Sequence, residues 1–198
     1  MFRPLRVLLA QLAPCAMVAI TATKFAQAQP ADVSAAEALF TSGKEAMSRS
    51  DLATACARFA DSLKLDPAVG TGLNLAACEE RSGRLAAALE HFTAARAQLA
   101  KDDFRIAFTS EQIAKLSRRV AHLTLRLPTP PAPETRVVRD GIEVAPAAFN
   151  VATIVDPGPH AVVVEARDRS PSKLRITLAE GEEKIVELPA LVPSRGGS

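Results

Sequence analysis

Between Ser34 and Ala95 one helix–turn–helix pattern occurs twice at a fixed offset, and this repetition limits the folds open to the chain more than any other feature. Phe40, Gly43 and Met47 precede the turn Ser50-Asp51-Leu52, and Ala55, Phe59 and Ser62 follow it. Leu73, Ala76 and Glu80 precede Gly83-Arg84-Leu85, with Ala88, Phe92 and Ala95 beyond, each 33 residues after its counterpart. That offset is the length of a paired-helix unit rather than of a heptad or a strand. A single pair leaves an apolar face open to water, so such units fold by stacking on neighbours. Composition fits close helix packing: alanine is frequent, aromatic residues are 4% of the chain, and Trp and Tyr are absent.

Ahead of the repeats, residues 1–28 have the three parts of a secretory signal: Arg3 and Arg6, an apolar run from Val7 to about Thr23, and Ala26-Gln27-Ala28 before Gln29-Pro30. Small side chains at Ala26 and Ala28 suit the narrow pockets of a signal peptidase, which places cleavage after Ala28. An uncleaved anchor is the alternative, but Gln11 and Pro14 interrupt a run shorter than the roughly 20 apolar residues that span a bilayer. Leu12-Ala13-Pro14-Cys15 is similar to a lipobox, with Pro14 where a small residue precedes the modified cysteine. Of the 24 basic side chains, Arg3, Arg6 and Lys24 leave with this segment, and the 21 that remain face 22 acidic ones. A near-neutral mature chain without a basic stripe or an aromatic platform argues against nucleic acid as a partner. Membrane contact is expected only through the signal segment before cleavage.

Ser34-Ala35-Ala36-Glu37 reads as a capping box that starts the first helix, and Asp51 as the cap of the second. Asp66-Pro67 ends that helix, and Val69 or Gly70 begins the next pair. Counting back from Pro67, residues Leu39, Gly43, Leu52, Ala55, Phe59 and Pro67 occupy signature positions, and the stretch resembles the tetratricopeptide repeat. In the second copy Ala76 stands where a glycine is usual, and no proline closes it. The resemblance implies a right-handed stack of antiparallel helix pairs whose first helices line a concave face. It also implies a partner-binding groove: Asn74 stands where the family often keeps an asparagine that bonds a ligand backbone, and Lys44 and Arg81 fall on or near that groove. Ordinary polar helix surface is the other reading of these three. A further helix from Asp102-Asp103 carries Phe104, Phe108, Ile113, Leu116 and Val120, and is expected to close the stack with Glu111, Lys115, Arg118 and Arg119 on its solvated face.

From His122 the period changes to two, with Leu123, Leu125 and Leu127 alternating with Thr124 and Arg126, before a proline-rich link over residues 128–133. Asp140-Gly141 fits a two-residue hairpin turn. Asp156-Pro157-Gly158-Pro159-His160 leads into a valine strand, and Glu180-Gly181-Glu182 separates the last two strands. This order resembles the PEGA domain and its relatives, small β-sandwich modules of bacterial envelope proteins, although the motif that names the family is absent. The reading is therefore α+β: residues 29–121 as about two tetratricopeptide-like repeats plus a capping helix, residues 122–192 as a small antiparallel β-sandwich, and residues 193–198 as a disordered tail.

Cys15 leaves with the signal, and Cys56 and Cys78 remain, one in each repeat on neighbouring helices. Two readings stay open, a disulfide in an oxidising compartment or two buried small hydrophobes. His91, His122 and His160 form no ligand pair: there is no HExxH, no CxxC, and no metal spacing to either cysteine. A GxSxG elbow is also absent. Glu79-Glu80, Asp102-Asp103 and Glu182-Glu183 read as solvated or capping carboxylates. No catalytic residue, metal or cofactor is assigned. The expected role is a non-enzymatic interaction scaffold, periplasmic or secreted within the bacterial cell envelope, with a protein or peptide partner. Cell-wall glycan binding by the β module is the alternative, and residues 135–190 offer only Phe149 for stacking on a sugar.

Overall fold

A computed structural model describes residues 30–128 and 130–194, so the expected signal segment lies outside the described residues. The protein is α+β: among the described residues five α-helices come first, then seven strands in one mixed and one antiparallel sheet. The helices are α1 (Pro30–Ser48), α2 (Leu52–Leu65), α3 (Val69–Arg81), α4 (Leu85–Gln98) and α5 (Arg105–Ser117). Each packs against the next in the chain. Among the described residues no helix is long and apolar enough to cross a membrane.

The α1–α2 and α3–α4 turns are built alike. Ser50 and Gly83 both take positive φ, 60° and 83°. Asp51 N donates to Ala46 O at 3.0 Å, and Arg84 N donates to Glu79 O at 2.9 Å. Ala55, Phe59 and Ser62 are buried on α2, as are Ala88, Phe92 and Ala95 on α4. Gly43 lets α1 and α2 close together, because a Cβ there would stand 2.7 Å from the Phe59 ring. One expectation is corrected at the start of α1. The helix already runs from Pro30, so Ser34 and Glu37 lie inside it and form no box; proline suits a first turn, where its missing N–H has no helical partner.

Asp51 does cap α2, accepting from Thr54 N at 3.1 Å. Arg84 holds the matching place before α4 and supplies no side-chain cap. The acceptor comes instead from 70 residues away, where Asp156 Oδ1 takes the Ala86 amide at 2.7 Å. Asp156→Ala is expected to cost about 1 kcal/mol of unfolding free energy, the usual worth of a helix cap, and Asp156→Asn much less. Urea denaturation of the two variants checks both values.

The strands are β1 (Ala121–Arg126), β2 (Arg136–Arg139), β3 (Ile142–Glu143), β4 (Thr153–Val155), β5 (Gly158–Glu165), β6 (Ser172–Leu178) and β7 (Glu183–Glu187). One sheet has the order β4-β1-β7 and the other β3-β2-β5-β6. Asp140 and Gly141, at φ 52° and 82°, make the β2–β3 turn. Leu123 and Leu125 of the first sheet share a buried cluster with Val137, Val162, Val164 and Ile176 of the second. The expected all-antiparallel arrangement is corrected, because β7 runs parallel to β1, with Leu123 opposite Lys184 and Leu125 opposite Val186. The cause lies at the turn before β7. Gly181 N donates to Arg119 O at 3.0 Å and His122 N donates to Glu182 O at 2.8 Å, which starts β7 beside the start of β1. Pro193 and Ser194, expected in a disordered tail, are also tied down. Pro193 bridges Arg169, and Ser194 N donates to Asp168 O at 3.0 Å.

Candidate functional site

The three residues expected in a groove differ in their surroundings. Asn74, half-buried on α3, spends its amide on the Gly70 carbonyl one turn back, at 2.8 Å. Arg81 is exposed at the end of the same helix, seven residues on and therefore on the same side. Lys44 is exposed on α1, with its ammonium 5.7 Å from the centre of the Phe40 ring. Asn74 and Arg81 thus share one helix face, while no hydrogen bond or ion pair joins Lys44 to either.

Behind that face lies a charged cluster around Glu79, a carboxylate expected from sequence to be solvated or capping. Glu79 is 4% exposed. His91 Nδ1 stands 2.6 Å from its Oε2, and an Arg84 nitrogen 3.7 Å from its Oε1. Burial pushes the Glu79 carboxyl above its ordinary value, against the hydrogen bond from His91 and the charge of Arg84. A signal for this was present in the 33-residue offset, which sets Glu79 on the place of Ala46, itself 0% exposed. Above the ordinary value of 4.5 the unfolded carboxyl ionises while the folded one keeps its proton, so this contribution to stability falls as pH rises through the folded value. Glu79→Gln is expected to remove that slope, which cannot exceed about 1.4 kcal/mol per pH unit for one proton. Denaturation curves for the parent and the variant from pH 4 upward, on the order of half a unit apart, check it.

Cys56 and Cys78 lie beside this cluster and are bonded to each other, with Cα atoms 5.5 Å apart. Of the two readings open from sequence, the structure has the bridge. Both residues are buried, and the bond links α2 to α3 across the two copies.

The helical and β parts meet through ion pairs as well as backbone bonds. Arg119 holds Glu180 in a two-point contact, Nε to Oε2 at 3.0 Å and a terminal nitrogen to Oε1 at 2.8 Å. Another nitrogen of Arg119 reaches Glu80 Oε1 at 3.3 Å, where Lys115 Nζ also donates, at 2.8 Å. Of the expected solvated face, Glu111, Lys115 and Arg118 are exposed, Lys115 also pairing with Glu80, whereas Arg119 is half-buried and clamps the helices to the β part. The expected cap is corrected at its other end too. Leu116 and Val120 are buried, but Phe104 is 89% exposed and Phe108 50%. Phe108 lies in the first turn of α5 and meets Phe92 of α4 edge-on, ring centroids 6.2 Å apart, while the bonds of Lys115 and Arg119 to Glu80 tie the far end of α5 to the last turn of α3.

His160 ties the β2–β3 turn to the start of β5. Its Nδ1 lies 2.7 Å from Asp140 Oδ2 and its Nε2 lies 2.8 Å from Asp156 O. Burial opposes ionisation of Asp140, yet the bonds from His160 and from the Ala161 amide hold its carboxyl below its ordinary range. Phe149, the aromatic residue available for sugar stacking, packs against the β core instead. Among the described residues no group of three or more His, Cys, Asp or Glu side chains is placed to hold a metal ion. No protein-family model matches the chain, and no curated protein matches it either.

Proposed function

We propose that the protein is an exported, non-enzymatic interaction scaffold of the bacterial cell envelope, a short tetratricopeptide-like array joined to a PEGA-like sandwich. The first helices bind a protein or peptide partner and the β module serves as a spacer or adhesion unit. The observation that carries this reading is the exposure of Phe104 and Phe108 at the start of α5, where Phe108 sets one part of its ring against Phe92 of α4 and leaves the rest in water. Large aromatic side chains left in water are costly to a monomer and typical of the centre of a binding patch. Asn74 and Arg81 add polar groups on α3, and the clamps at Arg119 hold the two parts together.

The intact protein, immobilised and exposed to envelope extract, tests the reading. A partner should be retained, and Phe104→Ala with Phe108→Ala should reduce its recovery at least tenfold, with smaller losses for Lys44→Ala, Asn74→Ala and Arg81→Ala. Retention that none of these five changes affects would contradict the groove.

A further inference from the structure

A second concave surface lies away from the Phe104 side, where α4, α5 and β4 meet. Its floor is one side of α4, where Ala86, Ala87, Glu90, Thr93, Ala94 and Ala97 recur at helical spacing over about 16 Å beside the largely buried Leu89. Ile113 and Ser117 of α5 form one wall, and Ile154 of β4, 47% exposed, forms the other. A floor of small side chains between two walls admits the ridge of another helix at close range. Its length matches about three helical turns.

The charges of the groove narrow the occupant further. Its charged lining residues are Glu90 and Asp156, both acidic. Asp156 is committed to the Ala86 amide, while Glu90 is exposed and makes no ion pair or side-chain hydrogen bond among the described residues. An apolar trough with one unpaired carboxylate on its floor complements a helix whose apolar face carries a cation beside it. We propose that the α4–α5–β4 groove is a second docking surface, which takes an amphipathic helix of a partner protein with a Lys or Arg set against Glu90.

The probe is a displayed library of fourteen-residue amphipathic helices, selected on the intact protein. Selected sequences should share an apolar stripe and one basic position. Selection on Glu90→Lys should place Asp or Glu at that same position, and Ala94→Trp, which fills the floor, should reduce recovery of the original sequences at least tenfold. Both sites are exposed, and unchanged unfolding midpoints would show that the variants fold. Phe104→Ala should leave recovery unchanged, which separates this surface from the one proposed above. No enrichment, an unchanged charge preference on Glu90→Lys, or recovery insensitive to Ala94→Trp would overturn the proposal. So would self-association of the protein that Ala94→Trp abolishes, since the occupant would then be a second copy.

Discussion

Gly181→Ala is expected to lower unfolding stability by about 3 kcal/mol, although the residue is exposed. Two separate costs combine there. Gly181 sits at φ 69°, which disfavours any side chain by roughly 1–2 kcal/mol. A Cβ would also stand 2.8 Å from the Arg118 carbonyl oxygen, a backbone atom that moves only if the end of α5 moves. Its own amide bonds Arg119 O, and the neighbouring residues Glu180 and Glu182 bond Arg119 and the His122 amide. The turn is thus the joint between helices and sheets, and displacing it loosens several contacts together. Gly141→Ala provides the control. At φ 82° it carries the same backbone penalty, but nothing lies within 4 Å of its Cβ position. Its loss should stay near 1 kcal/mol. Equal losses at the two sites would remove the argument that the helix end closes over Gly181.

Replacing Cys56 and Cys78 together by alanine should cost about the same. The bridge closes a loop with a sequence separation of 22, which corresponds to about 3 kcal/mol on chain entropy. For a chain of this size that is a fall in melting temperature of roughly 6–12 °C. A reductant should lower the parent by a similar amount and leave the double variant unchanged. Denaturing thiol titration of oxidised protein should find neither of these two thiols free. Two free thiols would mean that the packing of α2 on α3, without a covalent link, holds the copies together.

Much of the local structure was legible because it is written in short-range patterns. The offset of 33 residues located both turns, the change of period at His122 located β1, and Asp140-Gly141 located the β2–β3 turn. What the pattern missed depends on residues far apart in the chain. Period-two alternation assigns a strand a buried face but not a neighbour, so the parallel pairing of β7 with β1 could not be read from Ile185 or Val186. The Asp156 cap on α4 spans 70 residues, and nothing near Arg84 announces it. Phe104 has the spacing of a core residue, yet spacing does not say whether a further helix exists to cover it. Glu79 was the exception, since its alignment with Ala46 pointed to a buried acid that adjacency to Glu80 concealed. For the site, residue types were legible but not commitments: the Asn74 amide is held by Gly70 O, and the Lys44 ammonium lies by Phe40.

Site-specific photocross-linking in the native envelope tests the scaffold reading most directly. With a photoreactive phenylalanine derivative at position 108, the full chain expressed in its own cells should give one discrete adduct with another protein in the envelope fraction. The mature chain in that adduct should begin at Gln29, and Phe104→Ala or Asn74→Ala should weaken the adduct band several-fold. Absence of any adduct at position 108, or an adduct that neither substitution changes, would contradict the account.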